Sequence, residues 1–279
     1  MEQLPLDLNA RMTAAPIATP AAAAPFRFYL GVHQPAWLTR TAVPLFLSRV
    51  RLAPRKRLPR ALGPWALDSG GFSELAKHGR WTVAAAEYVA EVRRYADEIG
   101  RLEWAACMDW MCEPDVRRQT GLSVAEHQRR TVDSYLELCA LAPELPWAPV
   151  LQGWTMGEYE DHLELYARCG VDLRAAPVIG VGSVCRRQAH GRSVFLLDQL
   201  SREGLRLHAF GFKRAGLRAL RDFDSLGAGN DAGGVVSADS MAWSFHARRE
   251  GGGRQNDLGF ALDWRAETLD ALALASEAA

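Results

Sequence analysis

Four polar residues stand where short apolar runs end. Asp68 follows Trp65-Ala66-Leu67, Asp109 follows the run 103–108, Gln152 follows Pro149-Val150-Leu151, and Asp239 follows Val235-Val236-Ser237-Ala238. A carboxylate at the tip of a buried strand needs a partner or water, so three acids and an amide in equivalent positions point to one site. Two carboxylates can divide the roles of nucleophile and general acid/base, as in substitution at a sugar carbon through an oxocarbenium-like transition state. An Asp and a Gln beside bare backbone can read the edge of a purine. Asp68 is followed by Ser69-Gly70-Gly71-Phe72. Without a Cβ the two glycines let a flat ligand lie on the main chain, and Phe72 offers it an aromatic face. The plain alternative for this pentapeptide is a strand-to-helix turn with an N-capping Asp or Ser. Other chemistries find less support. No His, Cys and acid grouping has metal-ligand spacing, no Ser–His pairing stands out, and Gly180-Val181-Gly182 is too short for a dinucleotide or P-loop fingerprint.

The elements that must position these residues alternate along the chain. Strand-like runs fall at 26–32, 65–67, 103–108, 149–153, 177–183, 205–211 and 235–239. Helical spacing fills the intervals. In 82–99, Val83, Ala86, Val89, Val92 and Tyr95 recur on one face until Gly100 stops them. Ser123-Val124-Ala125-Glu126 and Thr155-Met156-Gly157-Glu158 read as capping boxes that open helices ending near 141 and 170. A short amphipathic helix covers 193–203, another begins at 240–243, and Gly251-Gly252-Gly253 links to a last helix from 257. Strand–helix alternation predicts a parallel sheet. Seven such units favour an α/β fold of the (β/α)₈ TIM-like barrel type over an open sheet, with the eighth strand not legible. The C-terminal strand ends form the active face of such a barrel. Asp68, Asp109, Gln152, the 180–182 stretch, Gly211 and Asp239 would then share one mouth. On the residues alone the reading is a barrel enzyme acting on a glycosidic bond, such as that of a nucleoside.

Bulk properties narrow the partners. The 279 residues are 48% hydrophobic and 24% charged, an ordinary balance for a globular protein. Lys and Arg number 33, as do Asp and Glu, so no global field draws the chain to nucleic acid and binding must come from local patches. Candidate patches are Arg49, Arg51, Arg55, Lys56, Arg57 and Arg60; Arg186, Arg187 and Arg192; and Lys213, Arg214, Arg218 and Arg221. Each reads either as a solvated face or as a contact to phosphates. Five cysteines without a CxxC pair fit reduced thiols in the cytoplasm better than a disulfide framework or a zinc knuckle. No apolar run is long enough to span a membrane, and no secretory leader is legible. Residues 1–25, rich in Ala and Pro, read as a disordered, mobile tail, leaving 26–279 as a single barrel domain.

The motifs carry a resemblance. Asp68-Ser69-Gly70-Gly71-Phe72, Met108-Asp109-Trp110, Val150-Leu151-Gln152-Gly153, Ile179-Gly180-Val181-Gly182-Ser183, Ala209-Phe210-Gly211 and Ser237-Ala238-Asp239-Ser240-Met241 occur in that order. Together they resemble the motifs of the tRNA-guanine transglycosylase superfamily over 26–243. The Asp239-Ser240-Met241-Ala242-Trp243 form of the last motif and the short length resemble its deazapurine DNA-modification branch, the DNA guanine transglycosylases. That resemblance implies exchange of guanine in a nucleic acid for a 7-deazaguanine of the 7-cyano-7-deazaguanine type. Asp239 would be the nucleophile that attacks C1′, expels guanine and holds the strand covalently. Asp68 would take the proton from N9 of the incoming base. Asp109 and Gln152 would bind the pyrimidine-ring edge, with Gly153, Gly180, Val181 and Gly182 lending backbone and Phe72 stacking on the ring. Arg55, Lys56, Arg57, Arg186, Arg187, Lys213 and Arg214 would contact the nucleic-acid backbone. The partners implied are DNA or tRNA, a free 7-deazaguanine base and further proteins of a DNA-modification system, with no membrane.

The chain departs from the family pattern in one respect. Family members carry a Cys-rich zinc site after the nucleophile strand, whereas no cysteine follows Cys185 here. The expectation is therefore a protein without zinc or any other cofactor. The appended RNA-binding domain of archaeal relatives is also absent from this sequence. Two other functions stay open: a tRNA-type transglycosylase with the same chemistry, and a catalytically silent barrel that binds nucleic acid or a purine. Intact Asp68 and Asp239 speak against silence.

Overall fold

A computed structural model describes residues 26–185, 187, 191–227, 233–249 and 256–273. The expected tail 1–25, the Gly251-Gly252-Gly253 linker and Arg186 lie outside the described residues. Nine parallel strand segments follow one another: β1 (Arg27–Val32), β2 (Leu45–Ser48), β3 (Trp65–Asp68), β4 (Leu102–Ala106), β5 (Trp147–Ala148), β6 (Val150–Leu151), β7 (Ile179–Val181), β8 (Arg206–Ala209) and β9 (Gly234–Ser240). Hydrogen bonding orders them β5-β4-β3-β2-β1-β9-β8-β7-β6.

The two ends of that order are one strand, interrupted at Pro149. Proline has no N–H to give to a ladder, so the strand breaks into two short pieces there. The carbonyls still alternate as in any central strand. Those of Pro146 and Ala148 accept from Ala105 and Cys107 beside β4, and those of Pro149 and Leu151 accept from Gly180 and Gly182 beside β7. The sheet thereby closes on itself as an eight-position barrel.

The strand missing from the sequence reading is β2. It is only Leu-Phe-Leu-Ser, and it runs directly into α1 (Arg49–Leu52), so a basic cluster masked a four-residue strand. Arg49, grouped above with a solvated or phosphate-contacting face, is instead 6% exposed. Its guanidinium meets Glu91 at 2.5 Å and Glu74 at 3.3 Å, an internal ion pair that fixes the start of α1.

Side chains from strands that are not neighbours meet inside the barrel. Tyr29 on β1 and His208 on β8 both touch Trp104 on β4, at ring separations of 6.0 and 4.7 Å, and Phe46 on β2 packs on His208 at 5.2 Å. The lumen below the mouth is therefore plugged with rings, which leaves the strand tips above as the floor of any site.

Helices form the outer shell. α3 (Ala85–Ile99) buries Val89, Val92, Tyr95 and Ile99 at helical spacing and ends at Gly100. α2 (Gly71–His78) follows β3, and α4 (Pro114–Thr120), not foreseen in the sequence, opens on a proline at its first turn. The two expected capping boxes differ. α6 (Met156–Arg168) has both halves, Thr155 with Glu158. α5 (Val124–Leu141) has only the Ser123 half, because Arg129 and Arg130 draw the Glu126 carboxylate away. α10 (Leu258–Ala273) seals β1 from outside, with Trp264 tilted on Phe28 at 6.0 Å and Arg265 donating to the Phe28 carbonyl.

Candidate active site

The strand tips converge. Asp68 is the last residue of β3, and its neighbour across the β2–β3 ladder is Ser48 at the tip of β2. The Ser48 hydroxyl and the Gly70 N–H both hydrogen-bond the Asp68 carboxyl. Gly70 sits at φ +81°, a left-handed turn that a side chain would strain, and that turn aims its N–H back at Asp68. Asp68 does not cap α2; the residue at the N-cap is Gly70. Confinement by protein, and the negative charge of Asp239 close by, hold the Asp68 carboxyl above the usual carboxylate range despite its hydrogen bonds.

Asp109 lies beyond the sheet. β4 ends at Ala106, earlier than the run 103–108, and the chain turns away where the Met108 N–H meets Ser134 Oγ. The turn is pinned by Trp81 Nε1 on the Asp109 carbonyl and by the Trp110 N–H on Thr131 Oγ1. The Asp109 side chain, 4% exposed, accepts from Ser69 Oγ at 2.7 Å and from Gln152 Nε2 at 2.6 Å. Burial outweighs those two donors, and with the charge of Asp68 nearby it pushes the carboxyl up to about 7.

Gln152 is fully buried, and its own carbonyl takes the side-chain amide of Gln128 at 2.8 Å. Gly182 makes room for it. A Cβ at Gly182 would lie 2.1 Å from Gln152 Nε2. Ser183 follows at φ +57°, a conformation that L residues other than Asn and Asp rarely adopt. Its hydroxyl accepts from the Cys112 N–H and lies 2.8 Å from both Gln152 Oε1 and Glu113 Oε2, so its single proton can serve only one of them.

Asp239 projects from β9, 6% exposed. Its Oδ1 accepts from the Gly211 N–H at 2.7 Å and stands 3.3 Å from His208 Nε2. His208 is completely buried, and burial keeps its pKa below the usual value, so the ring is neutral. Its Nδ1 lies 2.9 Å from Ser237 Oγ. A neutral imidazole facing a carboxylate is stable only with its proton on the facing nitrogen, so Nε2–H donates to Asp239 and Ser237 donates to Nδ1. Among the described residues no hydrogen bond reaches Asp239 Oδ2. One oxygen of this carboxylate is held and the other is open.

The fold thus gathers Asp68, Asp109, Gln152, Gly182 and Asp239, whereas Gly153 and Gly180 back onto the rings of Tyr159 and Phe210 and Val181 is fully buried. Phe72, in the first turn of α2, is 40% exposed beside them. The Gly182 backbone is already engaged: its N–H goes to the Leu151 carbonyl and its carbonyl takes the Tyr159 hydroxyl at 2.6 Å. The basic residues scatter. Arg55, Lys56 and Arg57 are exposed, but Arg94 of α3 binds the carbonyls of Arg55 and Lys56, and Arg60 reaches the Asp97 carbonyl. That sets the segment beside the end of α3 that leads into the start of β4, away from the strand tips. Arg214 turns to Glu267 and Thr268 of α10. Lys213 is exposed where α8 (Arg214–Asp222) begins, and Arg187 lies over the Trp154 ring. Ser48, Glu113 and His208 join the site without having been singled out in the sequence, and Ser183 and Ser237, quoted there only within motifs, were given no role. His208 had one signal, a polar residue inside the apolar run 205–211.

Among the described residues no group of three or more His, Cys, Asp or Glu side chains is placed to hold a metal ion, and no helix is long and apolar enough to cross a membrane. Residues 25–273 match the model of the family described as DpdA, DeoxyPurine in DNA protein A. No curated protein matches the chain.

Proposed function

The chain belongs to the DpdA family of deazapurine DNA-modification transglycosylases, and on that premise we propose that it exchanges guanine in DNA for a 7-deazaguanine of the 7-cyano-7-deazaguanine type through a covalent Asp239–C1′ intermediate. Family membership favours DNA over tRNA. The observation that carries the mechanism is the pair of unlike carboxylates, Asp239 with Oδ1 held by two N–H donors and Oδ2 open, and Asp68 close by with its pKa raised.

In this reading Asp239 Oδ2 attacks C1′ as the C1′–N9 bond breaks, and the bond pair leaves with guanine. Asp68, able to hold a proton because its surroundings disfavour the charge, gives that proton to the departing base. The incoming deazaguanine returns a proton from N9 to Asp68, and its N9 then displaces Asp239 from C1′. Asp109 and Gln152, hydrogen-bonded to each other, turn to the base edge, with Phe72 against its ring. Asp109 must be a carboxylate to accept from the ring N–H and the amino group, so base binding strengthens as pH rises through about 7. Every proton in this scheme is moved by a side chain of the chain itself.

A denaturing gel with labelled guanine-containing DNA tests the scheme. Wild type should give a shifted, covalently linked band and Asp239→Asn none; Asp68→Asn should give a band that forms more slowly, because water must protonate the leaving guanine, and then persists, because no base takes the N9 proton of the incoming one. His208→Phe keeps a ring in the aromatic plug but removes one donor to a charged acceptor, and should slow adduct formation by roughly ten- to hundredfold. Base exchange by Asp239→Asn at the wild-type rate would overturn the assignment.

A further inference from the structure

A cavity opens where the chain leaves Gln152 and Ser183, and the chemistry above leaves it unused. Its volume is about 520 Å³, and its lining includes Trp154, Met156, Arg187, Arg192, Phe195 and Leu196. It is tied closely to the site, since Trp154 stands two residues after Gln152 and Arg187 four after Ser183. The lining combines two kinds of surface. Trp154 and Met156 are partly exposed and Phe195 is 54% exposed, giving flat and apolar walls. The Arg187 guanidinium lies 4.2 Å over the Trp154 ring, and its buried Nη1 has no hydrogen-bond partner among the described residues. Arg192 is the first residue of α7 (Arg192–Arg202), whose first turn carries no acid, and no carboxylate lines the cavity among the described residues.

An orphaned guanidinium N–H calls for an anionic acceptor, and the aromatic walls call for a planar apolar face. One nucleotide of a DNA strand supplies both. An enzyme that reaches C1′ must draw the target nucleotide out of the stack, which robs its neighbour of a stacking partner. We propose that this cavity is the subsite for the nucleotide adjoining the exchanged one, with its base against Phe195 and the uncovered face of Trp154 and its phosphate on Arg187 and Arg192. The inference rests on the DNA base-exchange reading. Because stacking uses the face of a base and not its edge, the subsite tolerates any base.

Two measurements on the full-length protein separate this subsite from the reading beneath it: the Kd for a fluorescein-labelled mixed-sequence oligodeoxynucleotide, and the incorporation of labelled free guanine into that DNA. Phe195→Ala and Trp154→Ala should each weaken DNA binding by roughly five- to hundredfold while leaving KM for guanine unchanged. Arg187→Gln should also flatten the log Kd against log salt plot by about one phosphate contact. An abasic residue next to the target guanine should weaken wild type and cost Phe195→Ala nothing further. Phe195 is surface-exposed, so its variant folds even if Trp154→Ala does not. Wild-type DNA affinity in Phe195→Ala and Arg187→Gln would overturn the subsite although exchange continued. A raised KM for guanine with unchanged DNA affinity would also overturn it, by giving the cavity to the base. Wild type that binds DNA but incorporates no guanine would sink the exchange reading instead, and the Kd series would still decide the subsite.

Discussion

Asp68, Asp109 and Asp239 are the same side chain in three surroundings. Asp239 has one oxygen fixed by the Gly211 N–H and His208, Asp68 is crowded by Asp239, and Asp109 is buried between Ser69 and Gln152. The Asp109 carboxyl is pushed up to about 7 from its ordinary value of 3.8. Between those two pH values the folded protein binds more protons than the unfolded chain, so stability falls as pH rises through the window. Below it both states are protonated and the penalty is absent; above it the penalty is complete, on the order of 4 kcal/mol as an upper figure. Asp109→Asn removes the charge and keeps the shape. Its melting temperature should therefore exceed that of wild type by the widest margin near pH 8, and the margin should close near pH 4. Thermal melts at both pH values check this, and a pH-independent margin would contradict it. The variant should lose base binding as well.

At the scale of elements, the site depends on what happens just past each strand end. β7 closes with Val181, then Gly182 lets the Gln152 amide pass and Ser183 turns left-handed to reach Gln152, Glu113 and the Cys112 N–H. Gly182→Ala would put a Cβ where Gln152 Nε2 now sits, and a buried Gln cannot move without leaving Asp109. The expected outcome is a stable barrel whose KM for the free base rises at least tenfold, about the 1.4 kcal/mol of one hydrogen bond to a charged group. Adduct formation with DNA should be affected less, because Asp239 sits on β9. Steady-state kinetics with base and DNA varied in turn distinguish the two. β2 makes the complementary point. It is four residues long, yet its Ser48 is one of the two donors on Asp68.

On the scale of the whole molecule, the closed barrel turns residues far apart in sequence into neighbours and fills the lumen below the site with side chains. Tyr29, Phe46, Trp104 and His208 come from four strands and pack edge-on or tilted within 6.3 Å of one another. That plug holds His208 dry and therefore neutral beneath Asp239. The superfamily pattern implies a zinc site after the nucleophile strand, but this chain offers no cysteine after Cys185, and we propose that it holds no structural zinc. Elemental analysis should find no stoichiometric zinc, and a chelator should leave the melting curve unchanged; a metal-dependent melt would reverse that view.

Sequence alone determined the βα alternation, the barrel class, and the polar residues at the strand ends Asp68, Gln152 and Asp239, because these follow from local rules: apolar runs, helical spacing, glycine stops; Asp109, read as a fourth strand tip, lies past the end of β4. It also carried the motifs that led to the family. It could not supply β2, whose four residues fall below any periodic signal, nor the closure at Pro149, which needs partners on both sides to be recognised as one strand. Nor could it separate Arg49, buried against Glu74 and Glu91, from the exposed Arg55 to Arg57, since burial of a charge is decided by where the opposite charge arrives. The held and open oxygens of Asp239, the raised carboxyls, and the roles of His208, Ser48 and Ser183 are properties of distance and dielectric between strands. Only tertiary structure fixes those, because it alone sets which groups are close and how much water is left between them.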